Sequence, residues 1–120
     1  SDDVVEVMGD VFRIEQVLTN YINNAVKNVD ENKKLSIIIK KQDDKARIIV
    51  FNSGKQIDQE NLSRIWTKFY KVDSSRNRDL SGSGIGLSLV QAIMKQHNNA
   101  FGVENVSNGV EFWFELNLSK

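Results

Sequence analysis

Cysteine and proline are both missing from the 120-residue sequence, and histidine occurs once. Without cysteine, the chain can form neither a disulfide framework nor a thiolate metal site, which fits a reducing compartment. Sixteen basic side chains balance sixteen acidic ones, so the net charge points to neither nucleic acid nor an anionic membrane surface. No apolar run approaches the roughly 20 residues that a membrane-spanning helix needs. We therefore expect a soluble globular protein.

The length of the chain predicts a single domain that spans residues 1–120, because it allows one hydrophobic core and is too short for two ordinary ones. Apolar residues make up 40% of the sequence and charged residues 27%, an ordinary globular composition. Internal repeats and low-complexity tracts are absent.

The apolar pattern predicts an alternation of strands and helices. From the N-terminus, we expect an edge strand at 4–8, a helix capped by Asp10, and a hairpin that turns at 42–45. Next come a short amphipathic helix after Asp58, which carries Leu62, Ile65 and Trp66, and a loop at 70–83. The last two elements are a helix at 85–97, with Ile85, Leu89, Ala92, Ile93 and Gln96 near one face, and a hairpin that turns at 107–109. This order favours antiparallel pairing over a doubly wound parallel sheet.

Asparagines are concentrated in the first predicted helix, although asparagine is a mediocre helix former. Asn20, Asn24 and Lys27 lie within about 60° of one another around the helix axis. Amide oxygens are hard, neutral ligands that suit magnesium, whose coordination sphere phosphate oxygens and water can complete. An ordinary polar helix surface is the alternative interpretation.

Three of the seven glycines occur within five positions, at Gly82, Gly84 and Gly86, just before the last predicted helix. A helix N-terminus offers unpaired N–H groups, and glycine lets the backbone close on an anion. The spacing matches neither GxGxxG after a strand nor the P-loop, so a flexible turn before a helix explains the cluster equally well.

The segment "FNSGKQI", residues 51–57, ends the second hairpin strand with a polar residue, a glycine and an apolar residue. An amide at this strand end could bind the edge of a base while Ile57 packs on its face. A plain exit from strand to loop is the simpler interpretation of this segment taken alone.

Taken together and in order, these segments resemble the catalytic and ATP-binding domain of bacterial sensor histidine kinases, which is related to gyrase-type and heat-shock-type ATPases. "QVLTNYINNAVKN" resembles the asparagine box, "NSGKQI" the first glycine box, "RIWTKFYKVD" the phenylalanine box, "SGSGIGLSLV" the second glycine box, and "GVEFWFEL" the last strand. The chain looks most similar to sensors of Gram-positive bacteria related to those that control vancomycin resistance.

The resemblance implies an α+β fold, a two-layer sandwich of the Bergerat type with a mixed, mostly antiparallel sheet and about three helices on one face. It also implies a kinase domain that transfers the γ-phosphoryl group of ATP to a histidine on a separate helical dimerisation domain, with Mg²⁺ as cofactor and a response regulator downstream. We expect a cytoplasmic domain of a membrane-anchored protein, attached through segments outside this chain, with no nucleic-acid partner.

The same resemblance assigns roles to individual residues. It implies that Asn24 binds magnesium, that Asn20 lines the phosphate side, that Lys27 reaches the triphosphate and that Asn52 accepts a hydrogen bond from the adenine amino group. The remaining implied site residues are Gly54 and Ile57 at the base, Arg76 and Arg78 in an ATP lid running from Tyr70 to Ser81 and anchored by Phe69, and Gly82, Ser83, Gly84, Gly86 and Leu87 at the phosphates.

Three residues depart from the family pattern. Asn52 replaces an aspartate, so the adenine contact loses its charge-assisted part. Asn28 replaces an aromatic residue that would stack on adenine, and Ser81 replaces a glycine at one end of the lid. His97 follows the last helix, and we interpret it as a helix-end residue rather than a phosphoacceptor.

Two other functions remain open. ATP hydrolases of the superfamily carry a glutamate general base four residues before the magnesium asparagine, and the sequence has Asn20 there, which cannot take a proton from water at neutral pH. A nucleotide-binding module without catalysis is the second alternative, suggested by Asn52 and Asn28.

Overall fold

Five strands form one sheet within the residues that the computed structural model describes, 7–67 and 86–118. They are β1 (Val7–Met8), β2 (Leu35–Gln42), β3 (Lys45–Ser53), β4 (Phe101–Val106) and β5 (Gly109–Leu118). The order across the sheet is β1-β5-β3-β2, and β4 also pairs with β5. Every strand pair in these ranges is antiparallel, which confirms the predicted pairing.

The first helix, α1, spans Val11–Asn28 and begins where the sequence predicts. The Asp10 carboxylate accepts hydrogen bonds from the backbone N–H groups of Phe12 and Arg13 at 3.0 and 3.2 Å. These bonds satisfy two of the four N–H groups that a helix start leaves unpaired, so Asp10 is a true N-cap.

One face of α1 packs on the sheet. Val17, Tyr21 and Ala25 are buried at intervals of four residues, which places them on one stripe of the helix. The Tyr21 hydroxyl donates a hydrogen bond to the carbonyl oxygen of Trp113 at 3.1 Å and so ties the helix to β5. Burial raises the pKa of Tyr21 well above its ordinary value, so this hydroxyl stays protonated and keeps donating.

Both predicted hairpins are present. Gln42 pairs with Lys45 around a turn in which Asp43 has φ +56°, and Val106 pairs with Gly109 around the second turn. The central strand β3 lies between β2 and β5. This arrangement brings the end of β3, where Asn52 and Ser53 are buried, beside the end of α1.

The segment after Asp58 differs from the predicted amphipathic helix. It forms two short 3-10 helices, Gln59–Asn61 and Arg64–Trp66, closed by hydrogen bonds between residues three apart. The tighter turn buries Ile65 and sets the Trp66 ring at 5.0 Å from that of Phe101. These contacts pack the segment against the hydrophobic core and against β4.

The last helix, α2, spans Gly86–Gln96. Its buried residues are Val90, Ile93 and Met94, whereas Ala92 and Gln96 are exposed. The predicted face is therefore rotated from the buried one, because α2 packs against α1 and the second 3-10 helix. No helix within the described ranges is long and apolar enough to cross a membrane.

Candidate functional site

Those predicted site residues that the structure describes lie along α1 and at or just beyond the ends of β3 and α2. Asn20 is next to the start of α2, and Asn28 is next to the exit of β3. Asn24 lies one turn from each of them on the same helix. The fold thus brings the asparagine box together with Gly86 at one end and with the "NSG" segment at the other.

Asn20 and Gly86 are in close contact. The Asn20 amide donates from Nδ2 to the carbonyl oxygen of Gln16 at 2.9 Å, which fixes the side chain along the helix. A Cβ atom at Gly86 would lie 2.9 Å from Asn20 Oδ1, so no other residue type fits there without a shift. A side chain at position 86 would therefore displace the Asn20 amide, and the phosphate contact of Gly86 stays a prediction.

Asn24 is half-buried and is contacted by the last residue of its own helix. Asn28 donates from Nδ2 to the carbonyl oxygen of Asn24 at 2.7 Å and to its Oδ1 at 3.3 Å. Lys27, one turn beyond Asn24, is exposed. An oriented amide oxygen with an ammonium group nearby is suited to a phosphate-bound cation.

Asn52 is only 2% exposed, so it is one of the buried polar groups at this end of the sheet. Its Nδ2 donates to the carbonyl oxygen of Ser53 at 3.0 Å. This bond fixes the flip of the amide, since the opposite flip would set Oδ1 against another oxygen. Any donor such as an exocyclic amino group would have to bond to the other atom, Oδ1, and this adenine contact stays a prediction.

Gly54 has φ +148°, a conformation that favours glycine. A Cβ atom there would also lie 2.9 Å from the carbonyl oxygen of Asn28. The family resemblance implies that this glycine lies at the base of the nucleotide. The structure gives a more direct reason for glycine at position 54, because the chain that follows β3 passes close to the end of α1.

A polar junction holds the end of α1 to the end of β3. The Ser53 hydroxyl donates to the Asp30 carboxylate at 2.8 Å and accepts from the backbone N–H of Lys34 at 3.1 Å. The backbone N–H of Asp30 donates in turn to the carbonyl oxygen of Ser53 at 3.1 Å. The Ser53 hydroxyl lowers the pKa of Asp30, with smaller help from Asn32, because these bonds favour the ionised carboxylate.

Ile57 is held by a residue of β4. Its N–H donates to Oδ1 of Asn105 at 2.8 Å, and its carbonyl oxygen accepts from Nδ2 of Asn105 at 2.8 Å. The side chain of Ile57 packs against the hydrophobic core, as does that of Leu87. Contacts with the hydrophobic core therefore hold both predicted apolar site residues, Ile57 and Leu87, in place.

Three residues that shape the site were not assigned a site role from the sequence: Asp30, Ser53 and Asn105. Asp30 and Asn32 near a helix end are turn formers, but nothing in the sequence identifies Ser53 as their partner. Asn105 is a polar residue in a strand, and only the register of β4 reveals its contact with Ile57.

Several predicted site residues lie outside the described ranges. They are Phe69, Tyr70, Arg76, Arg78, Ser81, Gly82, Ser83 and Gly84. The predicted loop and lid fall in the same interval.

The donor set of the described residues fits magnesium only with the help of phosphate. No group of three or more histidine, cysteine, aspartate or glutamate side chains gathers anywhere in residues 7–67 and 86–118. A hard cation that needs one or two protein oxygens and takes the rest from phosphate and water suits the half-buried amide of Asn24. The residues present therefore fit a nucleotide-bound cation better than a metal held by protein alone.

Comparison with known proteins identifies the family. Residues 9–120 match the family described as histidine kinase-, DNA gyrase B-, and HSP90-like ATPase. The chain belongs to this ATPase family. This result confirms the resemblance seen in the sequence boxes.

Individual relatives narrow the similarity to sensor kinases. The sensor protein VanSB of Enterococcus faecalis is 36% identical over 110 residues, covering 92% of this chain and 25% of that protein. The sensor histidine kinase CusS of Escherichia coli strain K12 is 33% identical over 114 residues, covering 95% of this chain and 24% of that protein. The chain thus spans about a quarter of the length of these curated relatives.

Solved structures agree in fold. The catalytic domain of the histidine kinase ThkA, in a nucleotide-free form, has a TM-score of 0.79 at 35% identity, over 92% of this chain and 70% of that one. ThkA in complex with the response regulator protein TrrA has a TM-score of 0.78 at 32% identity, over 99% of this chain and 32% of that one. Full-length ShkA in complex with AMPPNP has a TM-score of 0.81 at 27% identity, over 98% of this chain and 24% of that one. These matches confirm the predicted two-layer α+β fold.

Proposed function

We propose that this chain is the ATP-binding catalytic domain of a two-component sensor histidine kinase. It transfers the γ-phosphoryl group of ATP to a histidine on a separate helical dimerisation domain of the same protein. The observation that carries the proposal is the family match over residues 9–120, with its sensor-kinase relatives. Contact of Asn20 with Gly86 and of Asn28 with Gly54 supports it, because these contacts join the asparagine box to both glycine boxes.

In this proposal, the chain acts mainly by positioning and charge neutralisation. Asn52 and Ile57 hold the adenine, and Gly54 shapes the same pocket. Asn20 and Lys27 lie on the triphosphate side. The predicted contacts outside the described ranges, Tyr70, Arg76, Arg78, Gly82, Ser83 and Gly84, complete the phosphate site.

Asn24 would hold Mg²⁺ through its amide oxygen, together with the phosphate oxygens of ATP. The cation would supply neutralisation of the charge on the β- and γ-phosphates. Lys27 adds a positive charge one turn away on the same helix, and the lid arginines add more. With these charges in place, the incoming histidine can approach the γ-phosphoryl group in line.

The remaining partners follow from the two-domain scheme. The chain forms one domain over residues 1–120, and the acceptor helix and sensor region belong to other parts of a longer, membrane-anchored protein. A response regulator receives the phosphoryl group, and ThkA, which has been solved with the response regulator TrrA, supports that assignment.

Hydrolysis of ATP by water is the less favoured chemistry. Asn20 occupies the position at which the superfamily's hydrolases carry a general base, and its amide is already committed to Gln16 through Nδ2. An amide does not accept a proton at neutral pH. A binding module without catalysis is the second candidate, favoured by the uncharged Asn52 in the base pocket.

The test compares Asn24→Ala with Asn23→Ala in the full-length protein. Asn23 is an exposed residue of the same type on the same helix, so its substitution controls for helix propensity. We expect Asn24→Ala to abolish magnesium-dependent phosphotransfer and Asn23→Ala to retain it. Unchanged transfer by a correctly folded Asn24→Ala protein would refute the metal assignment, and no transfer by the unmodified protein would favour the binding module.

A further inference from the structure

The side-chain amide of Asn28 contacts two oxygen atoms of Asn24. Its Nδ2 donates to the carbonyl oxygen of Asn24 at 2.7 Å and lies 3.3 Å from Oδ1 of the same residue. The shorter bond anchors the Asn28 amide, so its second N–H is directed at the side chain of Asn24. The donor therefore acts on Oδ1 of Asn24, the side-chain oxygen that is proposed to bind the cation.

This contact selects one orientation of the Asn24 amide. If the amide flipped, its own NH₂ group would face the NH₂ group of Asn28, and two donors would meet without an acceptor. With oxygen in that place, one lone pair accepts from Asn28 and the second remains for a cation. The contact therefore orients the amide oxygen without consuming it.

The main chain that carries Asn28 is itself firmly placed. Its carbonyl oxygen is packed against Gly54, where a Cβ atom would approach it to 2.9 Å. Two residues further on, the backbone N–H of Asp30 is bonded to the carbonyl oxygen of Ser53 at 3.1 Å. The donor group is thus attached to a junction between α1 and β3 and does not lie on a frayed helix end.

We propose that Asn28 is a positioning residue that presents Oδ1 of Asn24 to the divalent cation of a bound metal–nucleotide complex. The proposal rests on the proposed function, since it requires that Asn24 bind the cation. Groups that hydrogen-bond to a metal ligand typically change metal affinity 10- to 100-fold when they are removed. Asn28 is exposed, so we expect an effect of roughly tenfold, at the lower end of that range.

The test measures metal affinity separately from nucleotide affinity. Mn²⁺ serves as the probe, and its binding to the ATP-saturated protein is followed by electron paramagnetic resonance. ATP affinity is then measured with the metal removed by chelation. The variants are Asn28→Ala and Asn28→Leu, which both lack the donor but differ in size, with Asn23→Ala as the matched control.

We expect both Asn28 variants to bind Mn²⁺ roughly tenfold more weakly. Metal-free ATP affinity should change less than about twofold, because the substitution removes no proposed contact to the base. Asn23→Ala should match the unmodified protein in both measurements. Thermal unfolding of all variants checks that the exposed substitutions leave the fold intact.

Three results would count against the inference, and they are distinguishable. Equal Mn²⁺ affinity in the Asn28 and Asn23 variants would refute the positioning role and leave the proposed function standing. Tighter Mn²⁺ binding without the Asn28 amide would show that Asn28 competes with the cation. Failure of the unmodified protein to bind Mn²⁺ with ATP would refute both the inference and the metal assignment beneath it.

Discussion

Gly54 passes so close to Asn28 that a side chain at position 54 would press on the carbonyl oxygen of Asn28, with the Cβ at 2.9 Å. The contact joins the exit of β3 to the end of α1. These two segments carry Asn52 and Asn24, the residues proposed for the base and for the cation. The distance between the two halves of the proposed site therefore depends on a glycine.

Gly54→Ala should lower the free energy of unfolding by about 1–3 kcal/mol, because a residue with a Cβ is strained at φ +148° and also meets Asn28. Urea unfolding measures this loss, and ATP affinity should fall with it. Lys55→Ala, at the exposed next position, should stay within about 0.5 kcal/mol of the unmodified protein. Equal stability of the two variants would contradict this account of Gly54.

Asp30→Asn should remove a pH-dependent part of the stability. The pKa of Asp30 is lowered in the folded state by the Ser53 hydroxyl, so the ionised form stabilises the fold at pH values above about 4. That contribution is lost as the pH falls through the folded-state pKa. The stability difference between the unmodified protein and Asp30→Asn should therefore be largest near neutral pH and shrink on acidification.

Urea unfolding over a pH series checks this expectation. Glu31→Gln removes an exposed carboxylate from the same turn and controls for the change in net charge. A difference between the unmodified protein and Asp30→Asn that stays constant from about pH 7 to below about pH 4 would be inconsistent with the Ser53 contact.

Asn105→Ala should loosen the segment that carries Ile57. It removes both an acceptor for the Ile57 N–H and a donor to the Ile57 carbonyl oxygen, each at 2.8 Å. Leaving such groups unpaired costs about 1–3 kcal/mol where they are buried, and these are partly buried. Calorimetric titration should show weaker ATP binding, whereas Glu104→Ala, at the exposed neighbouring position, should leave it unchanged. Normal ATP affinity in Asn105→Ala would remove Ile57 from the proposed base pocket.

Asn52→Asp restores the residue usual in the family, yet we expect it to destabilise the nucleotide-free chain. The amide Nδ2 donates to the carbonyl oxygen of Ser53, and a carboxylate would set oxygen against oxygen at a site that is 2% exposed. Burial would raise the pKa of the new carboxyl. Its cost should therefore be greatest at neutral pH and fall as the pH drops and the group becomes protonated, since the protonated form can donate again. Stability that is equal to that of the unmodified protein at all pH values would show that Ser53 does not constrain this side chain.

Helix α1 and both hairpins were predictable because the residues that determine them are close together in the sequence. Asp10 and the apolar period fix α1, and the turn residues fix both hairpins. The segment after Asp58 was predicted wrongly as a single amphipathic helix, since Leu62, Ile65 and Trp66 have a spacing that also suits two 3-10 turns. The buried face of α2 was predicted wrongly at Ala92 and Gln96, because it depends on how α2 packs against α1.

The site was predictable in its box residues but not in the contacts that hold them. Ser53 lies 23 residues from Asp30, and Asn105 lies 48 residues from Ile57. The sequence around Ser53 does not indicate Asp30 as its partner, and the sequence around Asn105 does not indicate Ile57. Only the register of the strands and the path of the chain after α1 bring these residues together. The roles of Asn20, Asn24, Lys27 and Asn52 stay predictions.

In the proposed function, this chain transfers the γ-phosphoryl group of ATP to a histidine on another domain. The most direct measurement incubates the chain with γ-labelled ATP and Mg²⁺, first alone and then mixed with the separately made helical domain that carries the acceptor histidine. We expect no label on this chain, because its single histidine, His97, is held by hydrogen bonds to Ile93 and Asp10 at the end of α2. In the mixture, we expect label on the helical domain. Label on this chain alone, or on neither protein although ATP is bound, would contradict the account.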